Sequence, residues 1–321
     1  MRCCTRNTLL YATGAGLGLL PRLLAVHVRW ASTGSGNGDT RRDNPAFVRN
    51  LSLALDRELV NVDEFSYRVG DTKLVVMTSA NTKYIPLTLN LYSSMRRVGR
   101  EKLLVFCEDG SCEPLRERQH HGLHVMSTGN NFADAGEYDS PSFNFITGMK
   151  PAYIQWFLRR GHAVLWTDGD ISWVRDPVAL LASINSSIVT QDDGKFRGKK
   201  MMPDDTAVDL RHPGTGFFFV RPTELGMRIM ARWFSEMDKR DPKLQDQTVF
   251  NTVFHQECKS ACSQELEACD PETPCMLLSR RRWPNGSVPP QAWRNAVIYH
   301  ANWRFGVEKK VALLRESGLW L

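Results

Sequence analysis

The sequence predicts an α/β fold in which a mainly parallel sheet is covered by helices on both faces. Short apolar runs of strand length alternate along the chain with longer segments whose apolar residues recur at helical spacing. The short runs are apolar at consecutive positions, which is typical of strands buried on both faces. Repeated strand and helix units favour parallel pairing, and such sheets bind ligands at the carboxyl ends of their strands.

The predicted strands are apolar runs bounded by polar or glycine-containing segments. The run 73–78 (KLVVMT) is continuous, 216–220 (GFFFV) is very apolar, and 123–126 has the character of an edge strand. The polar stretch 127–147 is predicted to be an irregular loop over a site. In chain order the strands are 73–78, 103–107, 123–126, 163–166, 187–190, 216–220 and 296–300.

The helices are predicted from apolar faces and from the residues at their ends. Pro86 fits the first turn of one helix and Gly99 suits its end, as Pro151 and Gly161 do for the next. A third helix is predicted over 222–237. The apolar faces consist of Leu87, Leu91, Met95 and Val98, of Tyr153, Trp156 and Phe157, and of Leu225, Ile229 and Trp233.

The chain of 321 residues divides into a basic N-terminal segment and one large domain. No acidic residue precedes Asp39, and the apolar stretch of the first 30 residues is interrupted by Arg22. A signal-anchor, a cleaved signal peptide and an organellar presequence all fit this pattern. The predicted divisions are a targeting segment at 1–30, a stem at 31–62 with a helical part from 45, and a domain at 63–321 with a Cys-rich insert at 258–290.

Charge and cysteine content narrow the class of protein. The net charge of +6 permits anionic ligands, but no Lys/Arg stripe interleaves with aromatic residues, so nucleic acid is not an expected partner. Four cysteines in the insert favour disulfides over free thiols and zinc, with three pairings open. Cys107 and Cys112 are a further candidate pair. The insert cysteines are Cys258, Cys262, Cys269 and Cys275, and the glycosylation patterns start at Asn50, Asn185 and Asn285.

One short motif joins the predicted sheet to a chemical site. The run 163–166 leads into Asp168-Gly169-Asp170, which places two carboxylates at the carboxyl end of a buried strand. Carboxylates separated by a glycine can share one divalent cation, which in turn would hold phosphate oxygens. The alternative is a surface Asp-Gly turn without a ligand.

The segment LWTDGDISWVRDP resembles the metal-binding segment of the nucleotide-diphospho-sugar transferases, which are GT-A-fold enzymes with an Asp-x-Asp motif. Segments 74–81, 150–156, 214–220, 246–251 and 300–320 match the family in order, so the resemblance extends from about Thr72 to the C-terminus. It implies a GT-A-like catalytic domain with a Rossmann-like nucleotide-binding half.

The resemblance also implies roles for individual residues. Lys309 and Lys310 are expected on a short loop, where one of them grips the diphosphate. Lys150 compensates the charge of the diphosphate, and Asp192-Asp193 are candidates to orient the acceptor. Asp246 either lies by the reacting sugar with Gln247 or simply caps a helix. The metal ligands are Asp168, Asp170 and His300, and the donor is bound by Thr78, Ser79, Ala80, Asn81, Tyr84, Lys150, Asp168, Gly169, Asp170, Thr215, Gly216, Lys309 and Lys310.

The implied activity is metal-dependent glycosyl transfer. A sugar would move, with retention, from a nucleotide-diphospho-sugar, UDP by default, to a hydroxyl of a glycan, glycoprotein or polysaccharide. The implied cofactor is Mn²⁺ or Mg²⁺. The implied location is the Golgi membrane, with the N-terminal segment as a type II anchor, against secreted or organellar alternatives. The rival functions are a non-catalytic GT-A-like glycan-binding or scaffold protein, and a haloacid-dehalogenase-like phosphatase with Asp168 as nucleophile.

Overall fold

The computed structural model describes residues 45–59, 61–110, 112–118, 122–130, 140–195, 212–239, 245–258, 274–289 and 295–321. The predicted targeting segment and the cysteines Cys262 and Cys269 lie outside these residues. None of the helices described combines the length and the hydropathy needed to cross a bilayer.

The predicted α/β class is confirmed. The strands are β1 (Ser66–Val69), β2 (Thr72–Ala80), β3 (Leu103–Cys107), β4 (Leu123–Ser127), β5 (His162–Thr167), β6 (Ile171–Trp173), β7 (Ile188–Asp192), β8 (Pro213–Val220), β9 (Cys275–Leu278) and β10 (Ile298–His300). The helices are α1 (Pro45–Glu58), α2 (Ile85–Arg97), α3 (Glu113–Arg116), α4 (Pro141–Gly148), α5 (Lys150–Leu158), α6 (Pro177–Ala182), α7 (Glu224–Lys239), α8 (Asp246–Glu257) and α9 (Val307–Glu316).

The main sheet has the strand order β4-β3-β2-β5-β8-β7-β9, and β1 pairs with β2 off this path. The pairs β2/β3, β3/β4, β2/β5 and β7/β9 are parallel, whereas β8 runs antiparallel to both of its neighbours. Strands β6 and β10 form a separate antiparallel pair. The chain extends from β2 to β3 and β4 on one side and then returns to place β5 on the other, which creates a crevice at the carboxyl ends of β2 and β5.

Apolar residues on both faces of the sheet explain the continuous runs in the sequence. In β5, Val164 and Trp166 join the core on one face, while Ala163 and Leu165 join the core on the other. Helix α1 belongs to the first of these cores through Leu51, Ala54 and Leu55. This helix lies within the predicted stem (31–62) and packs against α5 of the predicted domain. The boundary between stem and domain at residue 62 stays a prediction.

Two predictions of local structure are wrong. The predicted loop 127–147 ends in a helix, α4, because Ser140 accepts a hydrogen bond from the Phe143 amide at 3.2 Å and Pro141 fits the first turn. Lys309 and Lys310, expected on a short loop, lie within α9.

The disulfide prediction is confirmed within the described residues, with bonds Cys107–Cys112 and Cys258–Cys275. The glycosylation pattern at Asn285 is not usable in the folded chain. This side chain is fully buried and donates to the Gly194 carbonyl at 3.0 Å.

Candidate active site

A cavity of about 270 Å³ opens at the carboxyl ends of β2 and β5. Two residues predicted for the site do not line it, because Thr78 is buried within β2 and Lys309 is exposed on α9. The cavity is lined by all the others, namely Ser79, Ala80, Asn81, Tyr84, Lys150, Asp168, Gly169, Asp170, Thr215, Gly216, Asp246, Gln247, His300 and Lys310.

Two carboxylates and one imidazole meet in this cavity. Because β10 pairs antiparallel with β6 and His300 lies opposite Ile171, the imidazole comes beside Asp170. Nε2 of His300 is 3.3 Å from an Asp170 oxygen, and the possible ligand atoms of Asp168, Asp170 and His300 all lie within 4.8 Å of one another. This donor set fits a divalent metal ion.

Gln191 fixes the tautomer of His300. The amide nitrogen of Gln191 donates to the carbonyls of Trp283 and Pro284 at 2.8 and 3.1 Å, so the amide oxygen faces Nδ1 of His300 at 2.8 Å. An amide oxygen only accepts, so Nδ1 carries the proton and Nε2 presents its lone pair to the aspartates. Sequence reasoning missed Gln191, because a partner of this kind has no sequence signature.

Gly216 leaves room for the three candidate metal ligands Asp168, Asp170 and His300. A Cβ atom on this glycine would lie 2.3 Å from Cε1 of His300 and 3.0 Å from Oδ2 of Asp168. Any side chain at this position would therefore displace the imidazole or the carboxylate, so the need for glycine here is steric.

Of Lys309 and Lys310, it is Lys310 that reaches Asp170. Its ammonium lies 2.6 Å from an Asp170 oxygen and 5.6 Å from the centre of the Tyr84 ring. Burial works to raise the pKa of Asp170, but the Lys310 ammonium beside it outweighs burial and holds that pKa well below its usual range. The carboxylate therefore stays ionised and able to bind a cation.

Lys150 holds a second pair of carboxylates together. Its ammonium lies 3.1 Å from an Asp168 oxygen and 3.5 Å from an Asp246 oxygen. Burial works to lower the pKa of Lys150, but the two aspartates outweigh it and keep the pKa above its ordinary value. The alternative role of Asp246 as a helix cap is wrong, because Gln245 holds that position and Asp246 is the first residue of α8.

The turn after β2 presents Asn81 and Tyr84 to the cavity. The Asn81 side chain accepts from the Tyr84 amide at 3.2 Å, which closes a short 3₁₀ turn over Thr82–Tyr84. Asp109 fixes the start of this turn, since one of its carboxylate oxygens accepts from both the amide and the hydroxyl of Thr82 at 2.6 Å. The disulfide joins Cys107 to Cys112, at a sequence separation of 5, and so closes a short loop that contains Asp109.

Gln247 of α8 is bound to the first residues of β8. Its side-chain oxygen accepts from the amide and the hydroxyl of Thr215, both at 2.9 Å. These two hydrogen bonds orient the Gln247 side chain toward Thr215. Both residues line the cavity, so Gln247 forms part of its wall beside β8.

The two candidate acceptor residues differ in position. Asp192 is fully buried and forms an ion pair with Arg280 at 2.9 Å, so it does not line the cavity. Asp193 does line the cavity, where it accepts a hydrogen bond from Asn302, and burial raises the pKa of its carboxyl group to about 6. Asn302 is a further residue that sequence reasoning missed.

Comparison with known proteins gives a consistent result. A family model described as nucleotide-diphospho-sugar transferase matches residues 99–314. The Arabidopsis thaliana UDP-D-xylose:L-fucose alpha-1,3-D-xylosyltransferase MGP4 is 24% identical over 267 residues, which is 79% of this chain and 71% of that protein. The arabinosyltransferase RRA2 of the same plant is 24% identical over 228 residues, with 67% and 51% covered.

Solved structures resemble this chain at low sequence identity. The galactosyltransferase LgtC in complex with donor and acceptor sugar analogues is 11% identical with a TM-score of 0.45, over 76% of this chain and 95% of that chain. Mouse xyloside xylosyltransferase 1 is 11% identical with a TM-score of 0.42, over 72% and 98%.

Proposed function

The chain belongs to the nucleotide-diphospho-sugar transferase family and is a glycosyltransferase, and we propose that it moves a pentose from a UDP-sugar to a glycan hydroxyl in a Mn²⁺-dependent reaction. The observation that carries the proposal is the meeting of Asp168, Asp170 and His300 in one cavity with Lys310 and Tyr84. The pentose follows from the relatives, whose names specify xylosyl and arabinosyl transfer.

The donor set favours Mn²⁺ over Mg²⁺. Mg²⁺ prefers oxygen ligands in octahedral geometry, whereas an imidazole nitrogen suits the softer Mn²⁺. When bound to Asp168, Asp170 and His300, the cation supplies Lewis acidity that offsets the charge of the leaving diphosphate. Lys310 adds a second positive charge beside Asp170.

The order of residues along the sheet edge matches the parts of a donor. Asn81 and Tyr84 after β2 hold the nucleoside, and the aspartates after β5 hold the diphosphate. Thr215 of β8 and Gln247 of α8 lie beside the sugar. The acceptor oxygen then bonds to the anomeric carbon, the bond from that carbon to the diphosphate breaks, and the departing phosphate takes the acceptor proton. Retention follows if both events occur on one face of the sugar.

Location in the Golgi membrane, with residues 1–30 as a signal-anchor, completes the proposal. The two disulfides agree with an oxidising compartment such as the secretory pathway. Protection of the catalytic domain from added protease in intact vesicles, and its loss when detergent is added, would test this placement.

The test of function is UDP release by the purified full-length chain. The chain is incubated with Mn²⁺ and with UDP-xylose, UDP-arabinose, UDP-galactose or UDP-glucose as donor. Methyl α-L-fucoside is the first acceptor, because the name of a relative specifies transfer to L-fucose. Release from one donor, lost with EDTA and in the double variant Asp168→Asn/Asp170→Asn, is expected. Donor binding without release would favour the non-catalytic alternative. Hydrolysis of a phosphomonoester without donor binding would favour the phosphatase.

A further inference from the structure

The loop between β10 and α9 carries two exposed aromatic side chains at the cavity. Trp303 is 42% exposed and Phe305 is 64% exposed, yet both line the cavity. Large apolar side chains left in contact with water beside a cavity mark a place where a ligand binds. Phe143 and Ile146 of α4 line the same cavity and give it a second apolar wall.

The conformation of this loop is fixed by its neighbours. Trp303 has φ of 58°, a left-handed conformation that costs energy for a residue with a side chain. The Asn302 side chain donates to Asp193 and accepts from the Gly286 amide at 2.8 Å. A Cβ atom on Gly286 would lie 1.8 Å from the Asn302 carbonyl oxygen, so glycine allows this approach. Trp303, next to Asn302, is therefore held in place before any ligand binds.

The Asn302 end of the loop is anchored far from the nucleoside end of the cavity, and the chain then leads back through α9 to Lys310 beside Tyr84. Asn81 and Tyr84 follow β2, whereas Asp193, to which the loop binds, follows β7. The order β2-β5-β8-β7 separates these strands by three spacings, or about 14 Å. The aspartates after β5 lie between the two ends. The Asn302–Trp303 end of the loop thus stands beyond the diphosphate position, on the side from which an acceptor would approach.

The chemistry of the loop suits a sugar ring. A pyranose presents C–H groups on one face, which pack on an aromatic ring, and hydroxyls at its edge, which need polar partners. Asp193 and Arg304, which also line the cavity, supply an acceptor and a donor for such hydroxyls.

We propose that Trp303 and Phe305 form a stacking platform for a pyranose ring of the acceptor glycan, with Asp193 and Arg304 binding its hydroxyls. This inference rests on the proposed function. It adds to that function a subsite, an acceptor class and the residues that select it.

The test is saturation-transfer NMR of the full-length chain with UDP and Mg²⁺, which is diamagnetic and replaces Mn²⁺ here, with methyl α-L-fucoside, methyl β-D-galactoside and methyl β-D-glucoside as probes. Saturation is expected on the C–H protons of one ring face. Trp303→Ala and Phe305→Ala should each weaken binding of the glycoside about tenfold. Trp303→Phe keeps a ring face and should lose less. The UDP dissociation constant should change by no more than about twofold in each variant.

Met227→Ala, on α7 at 37% exposure, is the matched control and should change neither affinity. Weaker UDP binding with unchanged glycoside binding in Trp303→Ala would overturn the proposal, because the loop would then cover the donor. UDP binding without saturation of any of the three glycosides by the unaltered chain would also overturn it, while leaving the proposed function standing. Failure to bind UDP at all would count against the proposed function itself.

Discussion

Gln191 controls the imidazole that faces Asp168 and Asp170, although it does not line the cavity itself. Replacing it by leucine keeps the size of the side chain but removes the acceptor for Nδ1 of His300. The proton can then move to Nε2, which would lose its lone pair. Partners of this kind contribute about 10- to 100-fold to metal affinity. We expect Gln191→Leu to weaken Mn²⁺ binding in the presence of UDP by that factor, as measured by calorimetry.

Gln155→Leu is the matched control for this prediction. Gln155 is also a buried glutamine, donating to the Met230 carbonyl at 3.3 Å, but it lies outside the cavity. It should lower the free energy of unfolding without changing Mn²⁺ affinity. Equal Mn²⁺ affinities for Gln191→Leu and the unaltered chain would show that the tautomer of His300 does not matter.

At the scale of single residues, the sequence indicates the candidate metal ligands better than it indicates the residues that hold them in place. Asp168 and Asp170 are visible as an Asp-x-Asp pattern after an apolar run, and His300 comes from the family resemblance. Gln191 and Asn302 reach the site only through the pairing of distant strands. Pairing of that kind leaves no local pattern in the sequence.

The turn Thr82–Tyr84 and the loop Cys107–Cys112 act as one unit. The disulfide restricts the loop that carries Asp109, and Asp109 holds both donors of Thr82. Without the disulfide the loop has more conformations in which Asp109 is away from Thr82, and the turn that bears Tyr84 is less ordered. UDP binding then has to order the turn, at a cost in free energy.

We therefore expect the double variant Cys107→Ser/Cys112→Ser to bind UDP about 3- to 10-fold more weakly, as Asp109→Ala should, because the ordering of a few residues is added to binding. Calorimetry of UDP with Mn²⁺ measures this. Cys258→Ser/Cys275→Ser removes the other disulfide, whose cysteines do not line the cavity, and should leave UDP affinity unchanged. The same loss of UDP affinity in both double variants would point to global destabilisation. It would contradict a specific role of the Cys107–Cys112 disulfide in ordering the turn Thr82–Tyr84.

Helices and strands were predictable where one physical signal dominated. The strands in the middle of the sheet are continuous apolar runs, and α2 and α5 carry a proline in their first turn. Helix α4 was missed because its signal is a cap at Ser140, within a polar segment that has no strong periodicity. Caps of this sort are short and are easily taken for loop residues.

For the whole molecule, the class of fold follows from the sequence but the strand order does not. Alternating strands and helices favour a parallel sheet, and this holds for β2 to β5. The antiparallel β8, and the separate pair β6/β10 that brings His300 to Asp170, depend on long-range packing. The location of the site at the carboxyl edge was predictable, because it depends on the class of fold alone.

Glu108 joins three parts of the fold through a buried carboxyl group. It follows β3 and accepts from Tyr153 of α5 at 3.0 Å and from Asn130 at 2.8 Å. The Thr128 hydroxyl lies 3.0 Å from the carboxyl group and 2.9 Å from the Cys107 carbonyl. One hydroxyl hydrogen serves only one of these oxygens, so a protonated Glu108 that donates to Thr128 satisfies both. Burial raises the pKa of Glu108 to about 7.

This raised pKa makes global stability depend on pH. The folded chain keeps the proton of Glu108 up to about pH 7, whereas the unfolded chain loses it near its ordinary pKa of 4.5. The resulting stabilisation is fully present below pH 4.5 and is lost as the pH rises to about 7. Glu108→Gln cannot titrate. The free energy of unfolding of the unaltered chain, relative to that of the variant, should therefore fall by about 2 to 3 kcal/mol between about pH 5 and pH 8. Urea unfolding of both proteins across this pH range measures the difference between their free energies of unfolding, in which the other titrating groups cancel. A difference that does not change with pH would show that Glu108 is ionised in the folded chain at the low end of the range as well as at the high end.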